Sequence, residues 1–187
     1  MVRSGVAGGV HLTTPKNSVS AVSPDWERER PQGLWDPPRR LLASIRRYQH
    51  WRAEAGLVAR AIKSFAVVEH HFWSVVTGSD IPLNCQIAGG LVLTHPNGVV
   101  IHPEASVGPN CLILQQVTLT AGVKLGGHVD VGAGAKIIGE VQIGDHAKIG
   151  ANAVVLTNVP AGATAVGIPA RIVGQRPADD GASPGRR

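Results

Sequence analysis

Aromatic side chains make up only 4% of this 187-residue chain. A nucleic-acid reader usually combines a basic stripe with stacking aromatics or a known reading motif. Neither is present. The formal charge of +5 comes from arginines crowded into residues 28–60 and the last few positions. That distribution disfavours a nucleic-acid partner and suits one carrying phosphates. Cysteine is equally sparse. Cys85 and Cys111 lie in no CxxC or Cys/His spacing, so they read as two free, buried thiols rather than metal ligands. No apolar run approaches the ~18–20 residues of a membrane span. The first twenty residues lack the continuous apolar stretch of a secretory signal. The expectation is a cytoplasmic protein.

What is present falls into segments. Residues 1–37 are rich in Gly, Ser, Thr and Pro without periodicity and read as a disordered leader closed by Pro37-Pro38. Residues 38–78 read as a helical segment. Over 39–55, Leu41, Leu42, Ile45 and Tyr48 recur at helical spacing, and Gly56 ends the stretch. A second helix is predicted over 57–77, with Val58, Ile62, Phe65, Phe72 and Val76 on its packed face and Gly78 as its stop. A basic amphipathic pair can lie on a membrane; packing on a neighbouring body is the preferred reading.

From residue 79 to 174 the period becomes six. Ile101, Val107, Ile113, Leu119, Leu125, Val131, Ile137, Ile143, Ile149 and Val155 are ten consecutive aliphatic sixth positions. Four residues beyond each stand Ala105, Cys111, Val117, Val123, Val129, Ala135, Val141, Ala147, Ala153 and Val159. Ile81, Ile87, Leu93 and Val99 run at the same period two residues out of phase. Neither an α-helix nor a simple strand repeats at six; a hexapeptide parallel β-helix does. Three hexads close a triangular coil of 18 residues, and coils stack at ~4.8 Å. The predicted fold is mostly β: a parallel β-helix behind a short N-terminal helical segment, with GIPARIVGQ leaving the rod to lie alongside it. Residues 175–187 read as a disordered tail.

Strict repetition specifies a scaffold, so chemistry is sought where the pattern breaks. In LVLTHPNGVVIHPEASVG, residues 91–108, two residues are inserted and the phase shifts. His95 lies two places past the inward Leu93, and Asp80 lies 15 residues earlier, close to one coil. An acid stacked beside an imidazole fixes its tautomer and stabilises the imidazolium, an arrangement for base catalysis. A turn residue and a helix-edge cap would look the same at this level. Asn97-Gly98 reads as the turn presenting His95.

The runs SDIPLNCQIAGGLVLTHPNGVVIHPEASVGPNCLILQQVTL and VGAGAKIIGEVQIGDHAKIGANAVVLTNVPAGATAVGIPARIV resemble the serine O-acetyltransferases, left-handed β-helix acyltransferases, over about residues 60–174. The resemblance implies a left-handed coil and acetyl transfer from acetyl-CoA to the L-serine hydroxyl, giving O-acetyl-L-serine for cysteine biosynthesis. Acetyl-CoA would be a co-substrate, with no permanently bound cofactor and no metal. His95 matches the general base and Asp80 its dyad partner. Backbone N–H groups around Ala121 and Gly122 would hold the oxyanion. Ala133, Ala151 and the segment ending in Arg171 match a CoA groove between subunits of a homotrimer. Lys136 and Lys148 could meet its phosphates or be solvated charges. Thr94, Asn97 and His102 are the acceptor-side candidates; His102 could equally replace a turn glycine.

Several residues depart from the family pattern. Thr94 replaces an Asp before the histidine, and Pro103 replaces a Glu eight residues after it. The hexads from Leu119 to Val131 leave no room for the family's Arg-His-Pro loop, which grips the amino-acid carboxylate. Another hydroxyl acceptor, a sugar, antibiotic or specialised-metabolite precursor, is therefore the alternative, and a scaffold without activity a second. A γ-carbonic anhydrase would need converging zinc-binding histidines, and His95, His102 and His128 lack the expected spacing. His70 and His71 after Glu69 do not form an HExxH pair. The C-terminal RPADDGASPGRR lacks a terminal isoleucine, so docking to cysteine synthase through this tail is not expected.

Overall fold

A computed structural model describes residues 19–175; the expectations for residues 1–18 and 176–187 lie outside the described residues. Two helices precede a four-turn left-handed parallel β-helix. Helix α1 spans Pro37–Trp51, with Pro37 and Pro38 at its first two positions. Proline is favoured there because its missing N–H is an orphan donor anyway. Helix α2 spans Leu57–Thr77 and stops at Gly78, left-handed with φ +63.

Twelve two-residue strands follow, β1 (Gln86–Ile87) to β12 (Val154–Val155). They stack as three faces. The first face holds β1, β4 (Ser106–Val107), β7 (Lys124–Leu125) and β10 (Gln142–Ile143). The second holds β2 (Val92–Leu93), β5 (Leu112–Ile113), β8 (Asp130–Val131) and β11 (Lys148–Ile149), extended by β13 (Ala163–Gly167). The third holds β3 (Val100–Ile101), β6 (Thr118–Leu119), β9 (Lys136–Ile137) and β12. Strand β14 (Ala170–Gln175) turns back through a cis Ile168–Pro169 bond and pairs antiparallel with β13, covering the last edge of the second face.

Every aliphatic and small residue assigned to the interior by the period of six is buried, none more than 7% exposed. Cys85 and Cys111 are among them. Burial pushes both thiols up to about 11, with the charge of Asp80 adding to the effect at Cys85. The coils are not uniform. Gln86 pairs with Ser106 and Val92 with Leu112, a step of 20 residues. Val100 pairs with Thr118 and Leu112 with Asp130, a step of 18. Lys148 pairs with Thr164, a step of 16. The inserted pair of residues therefore enlarges the first coil alone.

Two expectations need correction. Residues 19–36 are not a disordered leader. They form a strap across the corner between the first and second faces, with a 3-10 turn at Trp26–Glu29. The buried Asn110 side chain donates to the carbonyls of Ser20 (2.7 Å) and Ser23 (2.8 Å) and accepts from the N–H of Asp25 (2.7 Å). Buried Glu29 accepts a forked pair of hydrogen bonds from Arg46 at 2.8 and 3.0 Å and a third from the N–H of Leu91. Arg46 also donates to the carbonyl of Ala88, so one ion pair joins strap, α1 and rod. At Gly127 a Cβ would lie 1.8 Å from the Ala21 carbonyl oxygen, so only glycine admits the strap.

The second correction concerns α2. Leu41, Leu42 and Ile45 of α1 join the rod's core as predicted. On α2, however, Ala59, Ala66, Trp73 and Thr77 are buried, while Val58, Phe65 and Phe72 remain 69%, 60% and 51% exposed. Two alanines let α1 and α2 approach closely, so the bulkier face points outward.

Candidate functional site

His95 stands on the corner between the second and third faces, where the first coil carries its two extra residues. The turn is built on the end of α2. The N–H of Gly98 donates to the carbonyl of Gly78 at 2.7 Å, and the Asn97 amide packs against Gly78. Gly98, at φ +67, supplies the left-handed residue that the turn requires. Two residues past Gly78, Asp80 pairs with Val100 at the base of the third face: its N–H donates to Val99 and its carbonyl accepts from Ile101. The α2 stop and the inserted turn thus share one register, Gly78 under Gly98 and Asp80 under Val100.

His95 is exposed and makes no side-chain hydrogen bond among the described residues. Asp80 is also exposed. No ion pair of 4.0 Å or less joins the two in the isolated chain. Adjacent to them, His70 of α2 donates from Nε2 to the carbonyl of Ile81 at 2.9 Å. This agrees with its reading as a cap-packing residue and fixes α2 against the start of the rod.

Seven of the other predicted residues divide between two corners, and three lie on strands. Thr94, Asn97, Ala133 and Ala151 share the corner of His95, one above another along the rod. Ala121, Gly122 and His102 lie on the next corner, between the third and first faces. His102 Nδ1 accepts from the N–H of Glu104 at 3.2 Å, as a turn residue does. Lys136, on β9, donates to Thr118 Oγ1 at 3.1 Å and to the carbonyl of Gln116. Lys148, on β11, pairs with Asp130 at 3.7 Å, and Arg171 is exposed on β14. A recess of about 420 Å³ on the first face, lined by Lys124, Gln142, Asn158 and Pro160, contains none of them.

The corner residues therefore lie in two groups on either side of the third face. Residues overlooked in the sequence are Gln115 and Gln116, which stack over the His95 turn: the N–H of Gln116 donates to the Asn97 carbonyl at 2.9 Å. Their place one coil above the inserted turn was the available signal. Among the described residues no cluster of three or more His, Cys, Asp and Glu could hold a metal, and no helix is long and apolar enough to cross a membrane.

No family-wide sequence profile matches the chain. Individual relatives do. A probable serine acetyltransferase 1 of Oryza sativa is 39% identical over 155 residues, covering 79% of this chain and 44% of its own length. The serine acetyltransferase of Haemophilus influenzae is 38% identical over 150 residues, covering 76% and 56%. A serine acetyltransferase solved in complex with CoA superposes with a TM-score of 0.63 at 37% identity, covering 75% of this chain and 58% of that one. A soybean serine acetyltransferase complexed with serine gives 0.59 at 35% identity, covering 71% and 56%. The chain spans about half the length of the curated relatives it matches. With the enlarged first coil, the inserted histidine turn and these likenesses together, the chain belongs to the serine acetyltransferase family.

Proposed function

We propose that this chain is an acetyl-CoA-dependent serine O-acetyltransferase that forms O-acetyl-L-serine and CoA. The carrying observation is His95: an imidazole with no side-chain hydrogen bond among the described residues, exposed at the corner where the first coil is enlarged, in the same coil as the Asp80–Val100 bridge. Relatives solved with CoA and with serine support the substrate pair.

In this reading His95 takes the hydroxyl proton as the serine oxygen attacks the thioester carbonyl. Asp80 orients the ring and offsets the imidazolium charge. The N–H groups of Ala121 and Gly122 stabilise the tetrahedral oxyanion. The C–S bond then breaks, and the imidazolium returns its proton to the CoA thiolate. Thr94, Asn97 and His102 line the acceptor side. Ala133, Ala151, Lys136, Lys148 and Arg171 line the CoA side. Because the half-sites occupy different corners, the cleft is completed by a neighbouring copy, as in a homotrimer. Ser20–Asp25 cover the remaining corner, which leaves the other two for that contact.

A second reading, transfer to another hydroxyl acceptor, is favoured by one feature. The corner at residues 120–123 is a tight four-residue turn between β6 and β7, with no loop to hold a carboxylate, and Pro103 stands in place of a glutamate.

Acceptor profiling with acetyl-CoA tests both. L-serine should be turned over, and His95→Ala should lower kcat about 10²–10⁴-fold. Turnover of a sugar without turnover of L-serine overturns the first reading. Unchanged transfer in His95→Ala removes the imidazole from the mechanism, and unchanged transfer in Asp80→Asn removes the dyad.

A further inference from the structure

Asn110, His128 and His146 occupy one position on three successive coils, at the corner between the first and second faces. All three have left-handed backbones, with φ of +60, +52 and +60. Asn110 holds the strap. The two histidines above it face each other instead: Nδ1 of His128 lies 2.8 Å from Nδ1 of His146, and the rings are 79° apart with centroids at 5.0 Å. Both rings cannot carry a proton on Nδ1 at this distance, so one donates and the other accepts. The pair requires at least one imidazole to present a bare nitrogen toward its neighbour.

Two nitrogens this close also suit a single ion. Imidazole nitrogens bind transition metals at ~2.0–2.1 Å. Ligands in adjacent positions at a right angle are then ~2.9 Å apart, and tetrahedral ones ~3.4 Å. The observed separation fits the right angle, the geometry of tetragonal Ni²⁺ and Cu²⁺ rather than of tetrahedral Zn²⁺.

We propose that His128 and His146 form a two-imidazole site for a tetragonal transition-metal ion, Ni²⁺ or Cu²⁺, on the outer surface of the rod. On binding, the donating ring moves its N–H from Nδ1 to Nε2, so both rings ligate as neutral imidazoles and no net proton is released. The remaining positions are open to water. The surrounding charges set the strength. Asp130 on β8 attracts a cation, while Arg28 of the strap and Lys148 on β11 oppose it. Asp145 is engaged with the N–H of Gly127 at 2.7 Å and is not a ligand in this arrangement. The site is on a different corner from His95 and does not depend on the acetyl-transfer reading.

Asparagine is the substitution of choice, because Asn110 and Asn152 hold the same left-handed backbone in this rod. The test is calorimetric titration of the untagged full chain with NiCl₂ and, separately, ZnCl₂ at neutral pH, with circular dichroism to verify folding. The expected result is one Ni²⁺ per chain, bound about tenfold or more tighter than Zn²⁺. His128→Asn and His146→Asn should each weaken Ni²⁺ at least tenfold while keeping the wild-type spectrum. No binding by the wild type, Zn²⁺ bound as tightly as Ni²⁺, or Ni²⁺ binding unchanged in both variants would overturn the site. Should either variant lose its fold, Ni²⁺-dependent broadening of the two imidazole resonances in the wild-type NMR spectrum decides the question in its place, and its absence overturns the site.

Discussion

The rod and helix α2 treat their apolar residues in opposite ways. In the rod, all the aliphatic hexad positions point inward and are buried. In α2, Ala59 and Ala66 are buried while Phe65 and Phe72 are half exposed or more. A triangular coil has one interior, enclosed by its own backbone, so a period of six leaves no choice of face. A helix with apolar residues around most of its circumference has several possible faces, and packing selects the one that brings backbones closest.

Substitutions can break this contrast. The largest expected effect is at the joint between the two regions. Glu29→Ala would leave the Arg46 guanidinium partly unpaired beside the Ala88 carbonyl and cost about 3–5 kcal/mol, measured by urea unfolding. Leu119→Ala, in the middle of the rod, should cost about 2–5 kcal/mol through lost burial and a cavity that stacked coils cannot close. Ala66→Leu should cost about 1–3 kcal/mol by forcing α1 and α2 apart. By contrast, Phe65→Ser on the outward face should fall within about 0.5 kcal/mol in the isolated chain. A cost as large as that at Leu119 would mean the face is covered in solution. The smallest effect is chemical. With both thiols pushed up to about 11 by burial, an aromatic disulfide reagent at pH 8 should find almost no reactive cysteine in the native chain and two in denaturant.

Much of the candidate site was legible because it interrupts a repeat. The two extra residues before Gly98 shift the phase, and in the structure they lengthen a coil from 18 to 20 residues around His95. The 15-residue offset to Asp80 read as close to one coil; in the structure Asp80 lies a full 20-residue coil below Val100, and no ion pair joins it to His95 in the isolated chain. The strap was not legible. It was read together with residues 1–18, whose Gly, Ser, Thr and Pro resemble a disordered leader, and its ordering depends on Asn110, some 85 residues away. Nor could the separation of His95 from Ala121 and Gly122 onto two corners be read until the corners were assigned. The facing histidines had left a trace, a spacing of 18, but such a spacing acquires meaning only once the coil length is fixed.

The sequence alone determined the rod, its interior and its irregular corner, because a closed triangular coil makes burial a function of position modulo six. Only the tertiary structure decided which face α2 buries, how the strap is held, and which side chains meet across coils. Those outcomes depend on distances between segments far apart in the chain, and no local period encodes them.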